Sequence, residues 1–94
     1  MMLRRFWFEF GQSDAHTLPP GVQLGCGITA WTIDDALGLL RNCVFRGRPG
    51  PSVYTVVEDV DVSTLDVGHV LPNMGAPNVR GIWFPLGYDL PANR

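Results

Sequence analysis

The sequence predicts an α+β domain: a four-stranded antiparallel or mixed sheet with one main helix on one face, in the order β-β-α-β-(short α)-β. Three observations lead there. Residues 3–11, "LRRFWFEFG", alternate apolar and polar side chains with a period of two. "TIDDALGLLRNCVF" repeats its apolar residues at helical spacing. And 94 residues, of which 46% are hydrophobic and 17% charged, suffice for a single domain (residues 1–94) with one modest core.

Each element has its own signal. In the first strand Phe6, Phe8 and Phe10 point one way, and Arg5, Trp7 and Glu9 the other. "SDAHTLPPG" reads as a loop, with Asp14, Pro19, Pro20 and Gly21 as breakers. "VQLGCGITAW", residues 22–31, is a second alternating run, with Val22, Leu24, Cys26, Ile28 and Ala30 in one row. Its other row holds Gly25 and Gly27, and glycines on one strand face suggest close approach of a neighbour such as the ring of Trp7.

The helix begins with Thr32 as N-cap and Asp34 and Asp35 in the first turn, where the dipole favours negative charge. Ile33, Ala36, Leu37, Leu40 and Val44 form its apolar stripe. Arg41 and Arg46 complement its end, and Gly47 fits the position just past it. "SVYTVVEDVDV", residues 52–62, is a β-branched third strand. "STLDVGHVLPN" contains a short helical turn capped by Ser63. "RGIWFP" is the fourth strand, with Ile82 and Phe84 on one face, Trp83 on the other, and Pro85 ending the pairing.

Amphipathic patterning then leaves one face of the sheet to explain. If the phenylalanine row and Ile82 and Phe84 face the helix, Trp7 and Trp83 face away, and Trp31 joins them or turns inward. Burying one such side chain is worth roughly 1.5–3 kcal/mol, so the indoles need cover. It could come from the 63–80 segment folding back, from a homodimer pairing its sheets face to face, or from a different molecule docking on an aromatic platform.

Composition narrows the function classes. The formal charge is −2, and all seven basic residues are arginine, as GC-rich coding would produce. That balance argues against a nucleic-acid binder. Arg4-Arg5-Phe6 superficially resembles a twin-arginine signal, but Glu9 and "GQSDAH" interrupt the apolar run that a signal peptide requires. No stretch approaches the roughly 20 apolar residues of a membrane span, so the expectation is a cytoplasmic protein. Cys26 and Cys43, the two cysteines, match no zinc or redox motif and read as buried free thiols.

No catalytic or cofactor motif is present. His16, Cys26, Cys43 and His69 lack the paired spacing of zinc ligands, and without lysine the chain cannot build a phosphate-binding loop. No cofactor is expected. Asp66 and His69 lie three residues apart after Ser63, which is the place a small-ligand site or an enzyme centre would use. A turn or cap is the plainer reading of His69. The acidic run Glu58, Asp59, Asp61 and Asp66 suits a basic protein partner. Arg41, Arg46 and Arg48 form a smaller basic counterpart. The stretch "HVLPNMGAPNVRGIWFP" joins a loop containing His69, Asn73 and Arg80 to a strand containing Trp83. The candidate partner-binding residues are therefore Glu58, Asp59, Asp61, Asp66, His69, Asn73, Arg80 and Trp83.

"LGCGITAWTIDDALGLL", "VVEDVDVSTLD", "HVLPNMG" and "RGIWFP" together resemble a family of small, uncharacterised bacterial proteins across nearly the whole chain. In size and style such domains are similar to immunity proteins of bacterial toxin systems, which act by binding a toxin. The resemblance implies a protein-binding role and supplies no contact residue. A homodimer of structural role is the remaining expectation.

Overall fold

The computed structural model describes residues 2–11, 21–46 and 54–88. Strands β1 (Arg4–Phe10), β2 (Cys26–Ala30), β3 (Tyr54–Glu58) and β4 (Gly81–Phe84) form one sheet in the order β3-β1-β2-β4. Every pairing is antiparallel, so the domain is α+β. Helix α1 (Ile33–Leu39) continues directly into a wider π-helical segment, Leu40–Phe45. The expected loop over residues 13–20, His16, Gly47, Arg48 and the first residues of the third predicted strand lie outside the described residues.

The helix starts as its sequence dictates. Thr32 is extended, and its hydroxyl accepts the Asp35 N–H at 3.1 Å. Asp35 reciprocates by accepting the Trp31 N–H at 3.1 Å, a variant of the capping box. The far end differs from expectation. The widened turn is closed by the Arg46 N–H donating to the Arg41 carbonyl, and Arg46 itself takes the left-handed conformation, φ 45°. That widening brings Leu40, Cys43, Val44 and Phe45 all into the core, while Ile33 and Leu37 of the expected stripe are only partly buried.

The first core lies between this helix and the sheet. It unites Phe6, Phe8, Cys26, Ile28, Ala30 and Ile82 with Ala36, Leu39, Leu40, Cys43, Val44 and Phe45. Cys26 and Cys43 are buried and are not joined in a disulfide. Burial, with Cys43 nearby, holds the Cys26 thiol far above its ordinary range.

The second predicted strand begins later than its alternation suggests. Val22–Leu24 form a 3-10 turn between Gly21 (φ 89°) and Gly25 (φ 132°), two conformations that suit glycine. Val22 still reaches the core, whereas Leu24 points to solvent. Similarly, β3 stops at Glu58 because Asp59 turns left-handed, φ 56°, a geometry aspartate tolerates better than branched residues do.

Beyond Asp59 the chain crosses to the opposite face of the sheet. Val60, Val62, Leu65, Val70 and Met74 from this segment close over Trp7, Trp83 and Phe84 in a second core. Of the three covers considered for the indoles, the chain's own segment is the one that supplies it. Trp7 is 4% exposed and Trp83 1%, and their rings stack at a centroid separation of 6.0 Å. Trp31 joins neither core and stays 41% exposed at the strand–helix junction.

Gly27 of β2, and Gly25 just before it, are the seats of these rings. A β-carbon on Gly25 would overlap the Trp7 ring, and one on Gly27 would overlap the Trp83 ring. Phe84 departs from expectation. Gly27 pairs with Phe84 and Ile28 with Ile82, so Trp83 and Phe84 together oppose a single residue of β2. This bulge breaks the alternation and places both aromatic side chains in the second core, with Phe84 5.7 Å from Trp7.

Candidate functional site: the outer surface of the second layer

The segment after β3 is two-sided. Its apolar residues face the tryptophans, and its polar residues, Asp61, Ser63, Thr64, Asp66, His69 and Asn73, are exposed. Two 3-10 turns, Val62–Thr64 and Leu71–Asn73, replace the single short helix expected here. Asp61, rather than Ser63, caps the first of them. Its Oδ1 accepts the Ser63 backbone N–H at 3.0 Å and the Ser63 hydroxyl at 2.7 Å. A carboxylate held by two donors keeps its proton affinity low: the Ser63 hydroxyl, then the Ser63 N–H, hold Asp61 below the usual carboxylate range.

Asp66 organises the next turn. Its Oδ1 accepts the N–H groups of Gly68 (2.7 Å) and His69 (3.1 Å), and its Oδ2 lies 3.2 Å from His69 Nδ1. Asn73 donates to the His69 carbonyl at 2.9 Å. Donation from Gly68 first, and from the His69 side chain next, lowers the Asp66 pKa. Val67, 74% exposed, projects from the tip of the same turn.

At the end of β3, Arg4 gathers the remaining carboxylates. Its guanidinium donates to Asp59 Oδ1 (3.1 Å) and Oδ2 (2.9 Å) and to Glu58 Oε1 (2.9 Å). The Arg4 hydrogen bond is the main cause of a lowered Asp59 pKa. Arg5, on the other face, donates from Nε to the Val60 carbonyl at 3.0 Å and so anchors the crossing.

The candidate residues thus fall into three neighbouring groups along one segment: Glu58 with Asp59, Asp61 with Ser63, and Asp66 with His69 and Asn73. Two candidates do not join them. Arg80 pairs with Asp35 at the start of the helix, donating from Nε at 2.9 Å and from Nη2 at 2.5 Å. This pairing, followed by the Trp31 N–H, lowers the Asp35 pKa. Trp83 is buried beneath the layer, so it supports this surface from below and is not part of it. Arg4 is the residue that sequence reasoning missed. Its role depends on β1 pairing with β3, which no local motif announces.

The Asp66–His69 pair has the outline of a base with an orienting carboxylate. The His69 and Asp66 side chains are 72% and 50% exposed, and the nearby Ser63 hydroxyl donates to Asp61 instead. Among the described residues no group of three or more His, Cys, Asp or Glu lies close enough to hold a metal ion. No helix among them is long and apolar enough to cross a membrane.

These features define a class: a small α+β domain whose sheet is covered on both faces and whose second cover carries ordered carboxylates. No protein-family model, curated protein or solved structure matches the chain.

Proposed function

We propose that this chain is a small protein-binding module that presents the 59–73 segment to a basic surface on its partner. One observation carries this reading. Asp61 and Asp66 are exposed and each is positioned by donors of its own turn, while Asp59 shares its charge with Arg4, so the net negative charge of the segment is ordered before any encounter. Ordered charge of one sign steers association and selects partners, and it costs little further ordering on binding. Val67 and Asn73 add an apolar tip and an amide beside the carboxylates. The finer reading is an immunity protein that neutralises a toxin by covering its basic surface.

The test is a triple variant, Asp59→Asn, Asp61→Asn and Asp66→Asn, compared with the native chain for association with a captured partner. Association of the native chain should slow steeply as salt rises from about 0.05 to about 0.5 M, and that of the variant should be slower and nearly salt-independent. A partner bound equally fast by both would dismiss this surface. For the finer reading, co-expression with a toxic protein encoded beside this gene should restore growth, and the triple variant should not.

A further inference from the structure

The two edges of the sheet are treated differently. Along β4 the chain shields its own edge: the Gly75 N–H donates to the Trp83 carbonyl at 2.7 Å, and Pro85 follows the strand directly. At the opposite edge, β3 pairs with β1 alone among the described strands. Its residues Tyr54, Thr55, Val57 and Glu58 are exposed, Val57 to 52%. Natural edge strands are usually blunted by lysine, proline, a bulge or an inward charge; β3, "YTVVE", has no lysine, proline or bulge, and its one charge, Glu58, is exposed and paired with Arg4.

We propose that β3 pairs antiparallel with β3 of a second copy, about a two-fold axis through Val56, joining the sheets of two chains edge to edge. The strand is self-complementary in that register. Tyr54 lies opposite Glu58 of the partner subunit, Thr55 opposite the partner's Val57, and Val56 opposite its own symmetry mate. No like charges face each other, as they would if the strand were shifted to set Glu58 against itself. In this register the two acidic strand ends lie at opposite ends of the pairing, and Arg4 already compensates Glu58 and Asp59 within each chain. Val57 gains a cross-strand neighbour that it lacks on its outer side. The contact goes beyond the partner surface proposed above and uses a different part of the molecule, the hydrogen-bonding edge of β3 and not the outer face of the 59–73 segment.

An interface of one short strand is small, so the dimer is weak and its assembly depends on concentration. Sedimentation velocity of the full chain from about 1 µM to about 1 mM should show a monomer giving way to a dimer. The double variant Thr55→Lys/Val57→Lys sets lysines opposite one another twice across the axis and should weaken the dimer about tenfold or more. The variant Thr55→Lys/Val57→Glu sets opposite charges there and should restore it. These side chains are exposed, and circular dichroism checks that each variant folds. A native chain that stays monomeric at about 1 mM overturns the proposal. So does a dimer that the two lysines leave intact. If the double-lysine variant fails to fold, the single variant Thr55→Lys, which sets a lysine opposite the partner's Val57 at an exposed site, serves in its place, and a native dimer it leaves equally stable also overturns the proposal.

Discussion

The sheet has two covers built on opposite principles. On one face a continuous helical element, Ile33–Phe45, lays Ala36, Leu39, Leu40, Cys43, Val44 and Phe45 against the phenylalanine row. On the other face a chain of turns with no α-helix covers two tryptophans and Phe84 with Val60 and Val70. The first cover satisfies most of its backbone through its own helical bonds, with side chains only at its ends. The second has short turn bonds of its own and adds side chains throughout: Asp61, Asp66 and Asn73 bind backbone groups within it, and the Thr29 hydroxyl ties the Pro77 carbonyl to the sheet at 2.5 Å. A layer of turns can thus seal a core, provided that polar side chains supply the hydrogen bonds a helix would make for itself. Of these, Asp61, Asp66 and Asn73 also face solvent.

Emptying each core in turn should separate the two covers most strongly. Phe8→Ala and Trp83→Ala should each cost about 3–5 kcal/mol, a large share of the stability of a domain this small. Urea unfolding followed by far-ultraviolet circular dichroism measures both. If the two layers form one cooperative unit, both variants lower a single transition; a separate early transition in Trp83→Ala alone would show the turn layer opening by itself. Hydrogen exchange in the native chain adds to this, with amides of 60–75 expected to exchange faster than those of β1 and β2.

Overfilling is the next smaller perturbation. Gly27→Ala drives a methyl group into the Trp83 ring and should cost about 1–3 kcal/mol, with a changed near-ultraviolet spectrum. Gly38→Ala, where a β-carbon meets nothing within 4 Å, should instead stabilise by up to about 1 kcal/mol. Equal effects at the two glycines would contradict the ring-seat reading.

Indole chemistry separates the tryptophans of the second core. Trp7 Nε1 donates to Glu9 at 3.0 Å, whereas Trp83 Nε1 is buried with no hydrogen-bond partner among the described residues. Trp83→Phe removes an orphaned donor along with its apolar area, so it should cost less than Trp7→Phe by about 1 kcal/mol. At the other cover, Thr32→Ala removes the helix cap and should cost about 1 kcal/mol.

The smallest effect concerns pH. Asp59, Asp61 and Asp66 have folded-state pKa values below their unfolded ones. Their contribution is therefore complete above about pH 4, the unfolded value, and is lost as pH falls through the lower folded values. The urea midpoint should fall across that window, and less so in Asp66→Asn, whose starting stability is lower. Identical pH profiles for the variant and the native chain would remove Asp66 from this account.

Much of this arrangement was legible in the sequence. The alternation of Phe6, Phe8 and Phe10 against Trp7 defined the two faces, and Thr32 with Asp35 marked the helix start. The pair of glycines at 25 and 27 pointed to a ring seat, although Trp7 occupies one and Trp83 the other. What escaped detection depends on pairing. The bulge that turns Phe84 over arises from register between β2 and β4, and periodicity within β4 cannot reveal it. The 3-10 turn at Val22–Leu24 follows from backbone angles at Gly21 and Gly25, not from the alternation of side chains. Of the candidate site, the carboxylates were visible as a run, but Arg4 as the partner of Glu58 and Asp59 was not, because it lies more than fifty residues away in sequence.

The seating of each indole on a bare strand position has an evolutionary corollary. Ring and glycine are two halves of one fitted joint, so neither can drift alone: enlarging position 27 demands a smaller residue at 83, and shrinking position 83 leaves a hole that only a larger residue at 27 would fill. Among sequences of this kind, those two columns should therefore change together or not at all.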